Sequence, residues 1–133
     1  MTDGYRIRDF VESDRNFILS TWLRAFREAP QNRYVPTDIF YDRMQPIVWR
    51  VMSRHRPRIM CIADEPNHIV GWICGTQDLL AFLYVKRHSR GCGLAGRLLE
   101  DLGLNGIIRC TFWTAHAEQY APSWRYRPSL GER

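Results

Sequence analysis

No apolar stretch in this chain approaches the roughly 18 residues needed for a helix across a bilayer, so a membrane-spanning segment is not expected. The opening Met1-Thr2-Asp3-Gly4 carries neither the basic patch nor the apolar run of a secretory leader, which argues for a cytoplasmic protein. Cysteine is sparse: the four at 61, 74, 92 and 110 form no C-x-x-C pair and read as small apolar residues of a reduced compartment. Histidine is equally thin, and His55, His68, His88 and His116 show no H-E-x-x-H or Cys/His ligand spacing, so no metal site is expected. No serine sits in a G-x-S-x-G elbow, which removes the usual hydrolase arrangement. Lysine is almost missing, since 18 of the 19 basic residues are arginine. Arginine's planar fork suits phosphate, and the net charge of +5 fits an anionic ligand, although a GC-rich genome produces the same ratio.

What is present is one domain's worth of chain. At 133 residues it can bury roughly two-thirds of its unfolded surface without disulfides or metal. Tyr5 to Arg8 alternates as a half-buried strand. Ser13 or Asp14 can cap a helix running to about Glu28, with Phe17, Ile18, Trp22, Leu23 and Phe26 at helical spacing. A proline-bounded loop from Ala29 to Pro36 follows, and Thr37 can cap a second helix to about His55, kinked or broken at Pro46. Arg58 to Ala63 and Ile69 to Thr76 read as strands joined by a hairpin-like loop, Asp64 to His68. A further strand, Leu79 to Val85, leads to a glycine turn, a helix from Leu94 to about Leu102, and a fifth strand, Ile107 to Thr114. The order is β-α-α-β-β-β-α-β.

The most informative segment runs from Leu83 to Leu99. Gly91, Gly93 and Gly96 let backbone come close to a phosphate, and the first amides of the next helix have no partner inside it. Gly91-x-Gly93-x-x-Gly96 also matches the dinucleotide fingerprint. That reading fails on context: only 37 residues follow Gly96, a connector from Lys86 to Arg90 precedes the first glycine, and Glu118 lies in a polar stretch rather than at a strand end. A P-loop is excluded because no Gly-Lys-Ser/Thr occurs.

Arg90-x-x-Gly93-x-Ala95 resembles the Q/R-x-x-G-x-G/A signature of the GNAT superfamily of acyl-CoA-dependent N-acetyltransferases, with Leu83-Tyr84-Val85 before it and Leu98-Leu99 after it as in that family. The resemblance covers about Tyr5 to Thr114. It implies an α+β fold with a mixed, mostly antiparallel central sheet and helices on both faces, and it implies acetyl-CoA as cofactor. Arg90 and the backbone from Gly91, Cys92 and Gly93 to Leu94 and Ala95 would hold the pyrophosphate, with Gly93 and Ala95 small so that the backbone can approach. Close helix packing is the alternative reading of the glycines. The strand through Leu83 and Val85 would pair with the pantetheine as an added strand would, a backbone amide there polarising the thioester carbonyl. Cys92, at a helix N-terminus, is the one thiol whose reactivity such a place could raise; a tolerated small residue is the plainer reading.

The family often places a tyrosine acid after the fifth strand, and Tyr120 matches best, with Tyr126 in reserve. No glutamate occurs between Thr76 and Val85, so Asp78, acting through a water, is the candidate base, with Gln77 beside it and positioning alone as the other route. His55 and His116 could serve only if they face the cleft. Arg33, Tyr34 and Tyr41 stand where the family builds its acceptor pocket, for a small-molecule or protein amine. Residues 115–133 form a short, atypical end where family members usually add a helix and two strands; a trimmed sheet, a homodimer completing it and an open site are the alternatives. The short end and the missing base also fit a catalytically inactive binding protein, meeting a protein or nucleic acid through Trp124-Arg125-Tyr126-Arg127.

Overall fold

The computed structural model describes residues 4–90, 93–104, 108–110 and 124–126. The elements are β1 (Tyr5–Asp9), α1 (Arg15–Arg27), α2 (Thr37–Arg54), β2 (Arg58–Ile62), β3 (Glu65–Thr76), β4 (Leu79–Val85), α3 (Leu94–Leu102), β5 (Ile108–Cys110) and β6 (Trp124–Tyr126). They form one six-stranded sheet in the order β1-β2-β3-β4-β5-β6. The first four strands pair antiparallel; β5 is parallel to β4 and β6 parallel to β5. The expected order therefore stands, and a strand does occupy the short C-terminal end.

Strand alternation divides the core in two. Ile59, Trp72 and Phe82 join Ile18, Trp22, Phe26, Phe40, Val48 and Val51 of α1 and α2 on one face. Met60, Ile73, Leu80 and Val85 join Leu94 and Leu98 of α3 on the other. The first core is largely aromatic. Phe82 stacks on Trp22 at 5.2 Å and on Trp72 at 5.6 Å between centroids, and Trp72 stacks on Tyr84 at 6.0 Å. Each such pair contributes about 1 kcal/mol beyond the burial of its area. The Trp72 indole N–H is satisfied by Thr21 Oγ1 at 3.0 Å, and that hydroxyl donates in turn to the Phe17 carbonyl at 2.8 Å.

Four local expectations are corrected. Pro46 does not break α2, which is one helix of 18 residues with Pro46 on its exposed face. Asp14 does not cap α1 with its side chain, because its carboxylate turns back to Arg8 and the Val11 N–H. Pro36, not Thr37, is the cap residue of α2, its carbonyl accepting the Phe40 N–H at 2.9 Å. The β2–β3 turn is tighter than expected: Ile62 pairs with Glu65, so the chain reverses at residues 63–64 and β3 begins within the supposed loop.

Candidate functional site

The site is organised by β4. Its pairing with β3 slips between Cys74↔Phe82 and Gly75↔Leu80, which leaves Ala81 as an extra residue. Ala81 and the next residue, Phe82, therefore both enter the same core, as a bulge requires. Gly75 makes the bulge: its φ is +153°, and a Cβ there would lie 2.3 Å from the Leu79 carbonyl oxygen. Bulges bend and twist the strand that carries them. Among the described residues β4 meets β5 only at Leu80↔Cys110, immediately before the bulge.

Past that point the residues that follow Cys110 lie outside the described residues, and β4 is traced by its pairing with β3. The Lys86 N–H donates to the Val70 carbonyl at 2.8 Å, so Phe82 and Tyr84 also direct their backbone groups to β3 while Leu83 and Val85 direct theirs outward. The outward Val85 carbonyl accepts a bond of 2.8 Å from Arg90 Nε, across the single 3-10 turn Arg87–Ser89. Arg90's two terminal nitrogens make no bond to a described residue. Gly93 then takes φ +77° and ψ 12° as the residue preceding α3, and no side chain caps that helix. The first intrahelical bond is Arg97 N–H to Gly93 O at 3.2 Å, so the amides of Leu94, Ala95 and Gly96 have no partner within α3.

Gly93 is needed for its left-handed backbone rather than for room, since a Cβ there meets nothing within 4 Å. The same holds for space at Gly96, so close helix packing does not explain either glycine among the described residues. The helix is held in place from behind by Leu94 and Leu98, exposed by 2% and 0%. Arg58 adds a strut, with Nε 2.8 Å from Asp101 Oδ2 of α3 while its Nη1 reaches Asp9 of β1.

Leu83, Val85, Arg90, Gly93, Leu94 and Ala95 are thus brought to one end of the sheet. Gly91, Cys92, Tyr120 and His116 lie outside the described residues, and Tyr126 stands in β6 opposite Cys110. Asp78 is not brought to that end. It is exposed in the β3–β4 turn, its N–H on Thr76 Oγ1 at 3.2 Å, and β4 carries the chain roughly 20 Å from there to Val85. His55 ends α2; burial, then the Arg54 charge, push its pKa down, and its carbonyl accepts the Cys74 thiol at 2.8 Å. The loop before α2 is pinned by Asn32 Nδ2 on the Phe26 carbonyl at 2.8 Å, which leaves Tyr34 90% exposed. Tyr41 packs edge-on to Phe40, facing a shallow groove on α2. The bulge at Ala81 is the functional feature that sequence reasoning missed; a glycine inside a strand, Gly75, was its available signal.

No helix among the described residues is long and apolar enough to cross a membrane. No protein-family model matches the chain, and no curated protein matches it in sequence. Solved structures do. The GCN5-related N-acetyltransferase from Rhodopseudomonas palustris is similar at 16% identity and TM-score 0.60, over 92% of this chain and 81% of that one. A possible acetyltransferase from Clostridium difficile 630 is similar at 12% identity and TM-score 0.57, over 94% and 93%. Apo YjaB from Escherichia coli is similar at 16% identity and TM-score 0.55, over 77% of this chain and 65% of YjaB, so the chain spans less than two-thirds of that protein. At these identities the likeness is one of fold: the chain has the α+β fold of the GNAT acetyltransferases.

Proposed function

We propose that the chain binds an acyl-CoA, acetyl-CoA in the first instance, and passes its acyl group to the primary amine of a small molecule or protein. The observation that carries this is the sequence of features along β4: a bulge at Ala81, backbone groups of Leu83 and Val85 directed away from β3, then Arg90 and the start of α3, whose first amides have no partner within the helix. The residues fit the cofactor. An extended amide chain suits a strand edge, and a pyrophosphate suits amides without partners beside a guanidinium that has donors to spare.

When bound, the cofactor supplies a thioester activated toward amines. The Leu83 N–H, directed away from β3, would be available to the thioester carbonyl oxygen. The Arg90 side chain and the α3 amides would hold the phosphates and so position the thioester. Tyr120 is the proposed donor of a proton to the departing sulfur. Asp78 would accept the amine's proton only through water, given its exposed place in the turn. Thermal unfolding with CoA tests the reading: ligand at 100 times its Kd adds about 2.7 kcal/mol. No shift at millimolar CoA overturns it, and binding without turnover against a panel of amines supports an inactive binding protein instead.

A further inference from the structure

On the β3 side of the β4 end, away from the Leu83 and Val85 edge, a groove of about 580 Å³ lies between Phe17 of α1, residues 65–69 of β3 and Lys86. One wall is built from behind. The β2–β3 ladder passes from Cys61↔Ile69 directly to Ile62↔Glu65, so Pro66, Asn67 and His68 step out of the sheet. Arg8 holds them there, its Nε and Nη2 on the Pro66 carbonyl at 3.1 and 3.0 Å. The same guanidinium is clamped by both oxygens of Asp14 at 2.8 and 2.9 Å, and Asp14 is only 4% exposed.

The opposite wall carries the chain's one lysine. Lys86 Nζ stands 5.5 Å from the centre of the Phe17 ring and has no carboxylate partner among the described residues. Glu65 also lines the groove, its Oε2 3.3 Å from His68 Nδ1 and not within ion-pair distance of Lys86. A fixed wall, an apolar floor of Phe17, Pro66 and Ile69, and an ammonium with no ion-pair partner among the described residues describe a receptor for charge joined to an apolar body.

We propose that this groove binds a small organic anion, its charged group on Lys86 Nζ and the Asn67 side-chain amide and its apolar body against Phe17, Pro66 and Ile69. The site is separate from the acyl-CoA reading, because none of Leu83, Val85, Arg90, Gly93, Leu94 and Ala95 lines the groove. The test is a two-dimensional NMR titration of the full chain with benzoate, using neutral benzamide of the same shape as control. Saturable shifts confined to Phe17, Asn67, His68 and Ile69 are expected, weakened at least about tenfold with benzamide and in Lys86→Met. Asn67→Ala, at an exposed position that leaves the fold intact, should weaken benzoate several-fold. Equal binding of benzamide, unchanged affinity in both variants, shifts that never saturate, or shifts only at the α3 amides would each overturn the proposal.

Discussion

Arg90 Nε donates to the Val85 carbonyl at 2.8 Å, and this one bond ties the signature arginine to the outward edge of β4. The guanidinium is held by one nitrogen while two stay available, which an ammonium cannot reproduce. Arg90→Lys should therefore weaken CoA about tenfold, the loss of one charge-assisted bond, with little change in Tm because Arg90 is exposed. Calorimetric titration reads this. Unaltered affinity would remove Arg90 from the phosphate site.

Gly75 allows the bulge in the β3–β4 pairing. An alanine Cβ would sit 2.3 Å from the Leu79 carbonyl oxygen and 3.1 Å from the Ala81 nitrogen, both backbone atoms that cannot swing aside. Gly75→Ala should cost roughly 2–4 kcal/mol in urea unfolding, and the surviving folded protein should bind CoA more weakly. A neutral result would show that the turn opens without disturbing β4.

Burial raises the pKa of Asp14, but its bonds to Arg8 and the Val11 N–H outweigh this and hold it below the usual carboxylate range. Such a carboxylate stabilises the fold fully above its unfolded pKa of about 3.9, and the contribution is lost as pH falls through the lower folded value. Asp14→Asn should cost about 3 kcal/mol near neutrality and flatten the decline of stability below about pH 4. Denaturation curves across pH 2–7 measure both effects. A variant with the same acid limb as the parent would show that another carboxylate governs it.

Cys61, Cys74 and Cys110 are buried and free, and burial pushes the Cys110 thiol up to about 11 and Cys74 higher still. None should react with iodoacetamide in the native state at pH 8, so labelling read by mass spectrometry should be confined to Cys92. Labelling of Cys74 without denaturant would mean that the α2 end opens readily.

Tyr120→Phe removes a proton donor and nothing else from the ring. Turnover should fall at least about tenfold with CoA affinity unchanged. A full rate would rule out the acid role and shift attention to Tyr126.

Much of this was legible because it is local. The alternation in Tyr5 to Arg8 and the helical spacing of Ile18, Trp22 and Phe26 describe faces that bury whatever the partner, and the helix side of the first core followed from the latter. Pro46 misled because a proline's cost depends on whether the freed carbonyl meets water, which is a matter of which face the helix buries. Asp14 misled because its partner, Arg8, belongs to another element. Asp78 was chosen by its place near a strand start, and distance along that strand separates it from the phosphate end.

The sequence by itself determined the strand, turn and helix from Leu83 to Leu99, since glycine's freedom at Gly93 and the unpartnered amides of a helix start are properties of neighbouring residues. It likewise determined which residues would be inside. Only the tertiary structure decided that Ala81 is the extra residue of β4 and that Arg8 props residues 66–68 out to shape a second groove. Those features depend on register between strands distant in the chain, where one slipped residue changes which backbone groups and side chains face a ligand.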